Sequence, residues 1–159
     1  MFQTHTIDLG ETLIHYAEAP APGAPLVLIH GITGALDSFA PVIPPLAQQS
    51  HVYAFDLRGH NLSGRTPGAY QIADYGRDAA AFLQQVVGRP AVVAGHSLGG
   101  VIAIWLAAHA PEWVRGVFLE DPPLYIMQTP RLQETFFYGY FVFLRAALLE
   151  HHARGGPLD

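Results

Sequence analysis

The sequence predicts an α/β fold, with a mostly parallel sheet flanked by helices. Three observations carry that prediction. From Leu26 to Glu120, short apolar runs alternate with segments whose apolar residues recur at helical spacing. The runs are continuously apolar rather than alternating, as in strands buried on both faces. They stop at turns containing Gly31, Asp56 or Ser97, so strand, turn and helix repeat as βαβ units with right-handed crossovers.

Each element has its own signal. Residues 2–9 and 12–19 alternate apolar with polar around Gly10-Glu11 and predict an antiparallel hairpin. Residues 20–25 form a Pro/Gly/Ala-rich connector. Residues 26–30 predict the first parallel strand, and 51–56 the second. Between them, 38–49 read as a helix interrupted near Pro44-Pro45. Residues 74–87 have apolar positions at helical spacing and end at Gly88, a C-cap. Residues 91–95 are a strand, 98–110 a helix halted before Pro111, and 116–120 one more buried strand. After Asp121-Pro122-Pro123 the pattern changes. Residues 129–153 read as helical and aromatic-rich, and the chain frays from Arg154 to Pro157. The expected division is 1–123 and 124–159, and no internal repeat is found.

Composition excludes several function classes. Of the 159 residues, 50% are hydrophobic and 13% charged, which fills a core and argues against disorder. A net charge of −5 leaves no basic footprint for nucleic acid. All 8 basic residues are Arg, so there is no lysine for a Schiff base or a phosphate-binding loop. With no Cys, disulfides, thiolate metal sites and cysteine nucleophiles drop out. No metal site and no cofactor are expected. The first eight residues lack a basic start and an apolar h-region, so the expected location is cytoplasmic. Residues 136–149 are very apolar, yet shorter than the roughly 20 residues that span a bilayer, and Arg145 interrupts them. They predict a buried or partner-facing helix and no membrane span.

Three motifs follow the three parallel strands in order. They are His30-Gly31-Ile32-Thr33-Gly34, then Asp56-Leu57-Arg58-Gly59-His60-Asn61-Leu62-Ser63-Gly64, then Gly95-His96-Ser97-Leu98-Gly99-Gly100. The last has the G-x-S-x-G pattern between a strand and a helix. It predicts Ser97 at the apex of a sharp, strained turn. Gly95 and Gly99 would lack the β-carbons that clash where strand and helix pack closely. A serine so placed is a candidate covalent nucleophile, which needs a base and an orienting acid.

Taken together, the three motifs resemble the α/β-hydrolase superfamily, especially its esterase-like and carbon–carbon-bond hydrolase members. The resemblance extends over almost the whole chain. It implies that Ser97 is the nucleophile of a serine hydrolase acting on an ester or similar acyl or carbon–carbon substrate. It implies an oxyanion hole from the backbone N–H groups of Leu98 and Ile32. His30, Gly31, Gly95, His96 and Gly99 support the motif, His60 orders its loop, and Asp56 and Arg58 organise theirs. Residues 1–123 correspond to the N-terminal part of the core domain and 124–159 to the helical start of the cap. Two further strand–helix units are implied after the cap, the last carrying the catalytic histidine, so the chain is expected to be truncated after the sixth strand.

The family order is nucleophile, acid, histidine. Asp121, at the end of the last predicted strand, is the one candidate acid. After Ser97 come only His109, His151 and His152. His109 lies twelve positions along the elbow's own helix, about 18 Å away at 1.5 Å per residue. No histidine is placed as the base, so the isolated chain is expected to be inactive or very weak. The expected partners are a small hydrophobic ester-like substrate and a complementing chain or second copy at the open sheet edge. The alternative reading is a non-catalytic truncated fold that self-associates or binds a partner through that edge.

Overall fold

Backbone pairing follows the apolar runs. A computed structural model describes residues 2–125 and 130–156. Residues 129 and 157, assigned above to the helical segment and the fraying tail, lie outside the described residues. The chain divides into two units, Met1–Pro122 and Pro123–Asp159. In the first, β1 (Gln3–Asp8) and β2 (Leu13–Ala19) form the expected hairpin, with Gly10 at φ 92° in its turn. β2 pairs antiparallel with β4 (Ser50–Phe55). β4, β3 (Ala24–Ile29), β5 (Ala91–His96) and β6 (Val114–Glu120) are parallel, in the order β1-β2-β4-β3-β5-β6.

Register decides where the loops emerge. Ile29 pairs with Phe55 on one side and Gly95 on the other, and Gly95 pairs with Leu119. Four parallel strands therefore end level. The segments beginning at His30, Asp56, Ser97 and Asp121 leave along one edge of the sheet. The chain runs from β3 outward to β4, but from β5 outward to β6 on the opposite side. The loops after β3 and β5 thus diverge, and open α/β sheets hold ligands at such a switch point.

Alternation along the strands sorts two cores. Val27, Ile29, Tyr53, Phe55 and Val93 pack with α2 (Ile72–Phe82) and α3 (Leu98–His109). Leu28, Val52 and Ala54 pack on the other face with Leu36 and with Ile43 from the short α1 (Ile43–Leu46). Phe82 is fully buried, its ring 5.2 Å from Tyr16, 6.2 Å from Tyr53 and 4.8 Å from Phe55. Burying one such ring contributes about 2–3 kcal/mol. α2 and α3 approach closely because Gly76 lies under the Trp105 ring, where a β-carbon would come within 2.2 Å.

Several elements differ from expectation. The stretch 38–49 is not one helix but a 3₁₀ turn, Leu36–Phe39, followed by α1. Pro41, Pro44 and Pro45 remove three of the N–H donors that a continuous helix needs. α2 starts earlier than residue 74, because Asp74 accepts the Gln71 N–H at 2.7 Å and caps the helix from its own first turn. The last turn, Leu83–Val87, widens to a π-helix and ends at Gly88 with φ 67°. β6 corrects a further expectation: it is not buried on both faces. It pairs with β5 alone among the described residues, and Phe118 is 64% exposed.

In the second unit a 3₁₀ turn, Arg131–Glu134, precedes α4 (Phe136–Ala153). Thr135 caps α4 by accepting the Tyr138 N–H at its hydroxyl, and Phe136 stacks on Tyr140 one turn on. No helix among the described residues is long and apolar enough to cross a membrane.

Candidate active site

Ser97 stands between β5 and α3 with φ 50° and ψ −112°, outside the regions that non-glycine residues favour. Such a conformation costs on the order of 1–3 kcal/mol and persists only where its surroundings enforce it. Here they do. The Ser97 N–H donates to the Glu120 carbonyl at 2.9 Å, and the Ser97 carbonyl accepts from Gly100 N–H at 3.0 Å. The flanking glycines permit the close approach. A β-carbon at Gly95 would lie 2.1 Å from the Gly99 carbonyl oxygen, and one at Gly99 2.1 Å from the Ile29 carbonyl oxygen. Leu98 opens α3, so its N–H has no partner within the helix and is available to an anion, with the helix dipole behind it.

The loop after β3 closes against this turn. A β-carbon at Gly31 would meet Ser97 Cβ at 3.2 Å and His96 Nδ1 at 2.9 Å, so the loop lies against the elbow with little room to spare. Two donors hold the Gly31 carbonyl, His30 Nδ1 at 2.8 Å and Gly34 N–H at 2.9 Å. The Ile32 N–H lies in the same trans peptide and points the opposite way from that carbonyl. Holding the carbonyl therefore aims the Ile32 N–H.

His30 can donate to Gly31 and accept from Leu57 at once only when neutral. Its Nε2 accepts the Leu57 N–H at 3.0 Å, which leaves the proton on Nδ1 to donate to Gly31. Burial pushes the imidazole down from 6.5 to about 4, against the pull of the Gly31 carbonyl. A histidine with a depressed folded-state pKa stabilises the fold fully above its unfolded value. That contribution, about 3 kcal/mol, is lost as pH falls from 6.5 towards 4. Urea unfolding of the wild type and His30→Gln across this range is expected to show a steeper acid loss in the wild type. Parallel curves would refute the coupling.

The Asp56 loop is the scaffold beside these two. The buried Asp56 carboxylate accepts from Leu36 N–H at 2.7 Å, His15 Nδ1 at 2.8 Å and Asn61 Nδ2 at 3.0 Å. The fully buried Arg58 makes a two-pronged pair with Asp78, each contact 2.6 Å, and reaches Glu11 at 3.2 Å. The Asp78 hydrogen bonds hold its guanidinium charged. Sequence reasoning named Asp56 and Arg58 but missed Glu11, His15, Leu36 and Asp78. Asp78 carried a signal, an acid on the apolar face of α2 among Tyr75, Ala79 and Phe82.

The remaining candidates fall as follows. Asp121 follows β6 with φ 46°, directly after the Glu120 carbonyl that binds the elbow. His109, at the far end of α3 from Ser97, stacks on Trp105 and donates Nδ1–H to the Trp105 carbonyl. His60 sets Nε2 2.8 Å from the Ile32 carbonyl and Nδ1 3.0 Å from the Arg58 carbonyl, with one N–H to share in the neutral ring, and His51 bonds to Glu18. His151 and His152 belong to the second unit. No group of three His, Asp or Glu residues among those described is arranged to hold a metal ion.

Comparison with known proteins bears on this geometry. A family described as alpha/beta hydrolase fold matches residues 24–156. A 2-(acetamidomethylene)succinate hydrolase from Mesorhizobium japonicum is 31% identical over 125 residues, 79% of this chain and 45% of its own length. The N-acyl homoserine lactonase AidH, complexed with N-hexanoyl homoserine, superposes with a TM-score of 0.70 at 31% identity, over 75% of this chain and 44% of its own. The epoxide hydrolase CorEH gives 0.71 at 29%, over 75% and 42%. The chain spans less than half the length of these relatives.

Proposed function

The chain belongs to the alpha/beta hydrolase fold family, and on that premise we propose that it carries the nucleophile half of a serine hydrolase. The observation behind this reading is the backbone of Ser97 at φ 50°, wedged between two glycines that admit no β-carbon and followed by the free Leu98 N–H. Ser97 Oγ attacks a carbonyl carbon and its proton passes to a base. The oxygen that gains charge is received by the Leu98 and Ile32 N–H groups, which are preorganised for it. Asp121 is the acid that orients the base. The substrate class is an ester or a related acyl or carbon–carbon bond. The relatives support an acyl group, since one is a lactonase and another a hydrolase of an acetamido compound.

The base is assigned to none of the described histidines: His15, His30, His51, His60 and His109 spend a ring nitrogen on another partner, and the family order puts the catalytic histidine last, after nucleophile and acid. It comes from a histidine beyond this set, on other sequence or on a complementing chain. Without it turnover falls on the order of 10⁶-fold, while oxyanion stabilisation remains. The test is therefore fluorophosphonate labelling with added imidazole as the base, read by intact mass and peptide mapping. The expected result is one adduct, on Ser97, absent from Ser97→Ala. No adduct on Ser97 would overturn the reading. That outcome would leave the alternative, a non-catalytic module associating through the half-exposed β6 edge.

A further inference from the structure

We propose that His60 is a positioning residue that locks the oxyanion loop to the Asp56 loop. The proposal rests on the assignment of Ile32 N–H as an oxyanion donor. Ile32 is 49% exposed, so packing does not hold this residue in place. Its two peptide groups must be fixed by hydrogen bonds instead. The peptide before it is held through the Gly31 carbonyl, by His30 and Gly34. The peptide after it is held through its own carbonyl, which accepts from His60 Nε2 at 2.8 Å across 28 residues of sequence. With both planes fixed, the backbone dihedrals of Ile32 have no freedom to swing its N–H away.

The anchoring side is rigid. His60 Nδ1 faces the Arg58 carbonyl at 3.0 Å, and the His60 N–H donates to the Leu57 carbonyl at 3.0 Å. Ser63 N–H returns to the His60 carbonyl at 3.0 Å, and Gly59 N–H reaches the Gly64 carbonyl at 2.8 Å. The same loop is pinned below by Arg58 on Asp78 and by the three donors on Asp56. The imidazole also leans on the neutral His30 ring, centroids 5.0 Å apart and tilted 60°. His60 thus joins the two loops, and a catalytic role for its proton is not needed.

Two substitutions separate hydrogen bonding from packing. His60→Phe keeps a ring beside His30 and loses the Nε2–H donor; His60→Gln keeps a donor within reach of the Ile32 carbonyl. The rate of Ser97 phosphonylation with imidazole is split into the reagent's apparent binding constant and its maximal rate. The expected result is a maximal rate on the order of tenfold lower in His60→Phe, with binding nearly unchanged, and recovery to within about threefold in His60→Gln. Hydrogen exchange at the Gly34 amide, which is bonded to the Gly31 carbonyl, should quicken in His60→Phe and not in His60→Gln. Equal rates in wild type and His60→Phe, or a His60→Gln as slow as His60→Phe, would overturn the clamp. If Ser97 reacts in none of the proteins, the hydrolase reading fails. Gly34 exchange then decides the clamp alone, and exchange that is the same in all three overturns it.

Discussion

Asp78→Ala is expected to cost about 3–5 kcal/mol, the usual loss when one partner of a buried ion pair is removed. Native domains are stable by only about 5–15 kcal/mol, so the variant should be largely unfolded at moderate urea. The reason is the asymmetry of the pair. Arg58 is 0% exposed and Asp78 5% exposed, and the remaining partners of the guanidinium are the Ala69 carbonyl at 3.1 Å and Glu11 at 3.2 Å. Glu11 is 61% exposed and cannot neutralise a buried charge at full strength. Glu11→Ala, by the same reasoning, costs less than about 1 kcal/mol. Exchanging both members for apolar residues, Arg58→Met with Asp78→Leu, should recover most of the loss, because no uncompensated charge is left behind. Urea midpoints of the two single variants and the double variant check this. An Asp78→Ala within about 1 kcal/mol of wild type would refute it.

This pair also shows where sequence reading stops. Local chemistry is readable. The Gly95–Gly99 motif announces the elbow because its residue pattern falls within five positions, although Gly99 also abuts the distant Ile29 carbonyl. The Gly10 turn and the Gly88 cap are readable for the same reason. Long-range satisfaction is not. Arg58 finds Asp78 20 residues later and Glu11 47 residues earlier, and nothing in the periodicity specifies either. His60 was readable as a loop residue, but its acceptor, the Ile32 carbonyl, carries no side-chain signature at all. β6 fails for another reason. The run Val117-Phe118-Leu119 is as apolar as a central strand, and burial depends on whether a neighbour covers its outer side. The stretch 38–49 breaks at Pro41 and not, as expected, at Pro44-Pro45, which lie in the first turn of α1, where a missing N–H leaves no helical bond unmade.

Gly99→Ala should damage both the fold and the elbow. The added carbon would lie 2.1 Å from the Ile29 carbonyl oxygen, 2.6 Å from the Ile29 carbonyl carbon and 2.9 Å from the His30 carbonyl oxygen. All three are backbone atoms of β3 and its loop, so no rotamer can move aside. The clash is relieved only by sliding the start of α3 away from β3. Overpacking of this kind costs about 1–3 kcal/mol even where side chains can adjust, and a rigid backbone contact lies at or above the top of that range. The functional loss should be larger than the stability loss. The start of α3 carries Leu98 N–H and the β3 loop carries Ile32 N–H, so the slide separates the two donors proposed for the oxyanion. A displacement near 1 Å at such a site costs on the order of 10²-fold in rate. Phosphonylation of Ser97 in protein confirmed folded by circular dichroism measures this directly. Gly116→Ala and Gly139→Ala are the controls, since a β-carbon at either meets nothing within 4 Å. Gly139 lies inside α4, where alanine should add about 0.5–1 kcal/mol of stability. If Gly99→Ala labels at the rate of these controls, the elbow tolerates a β-carbon and the assignment of its glycines as contact-limited is wrong.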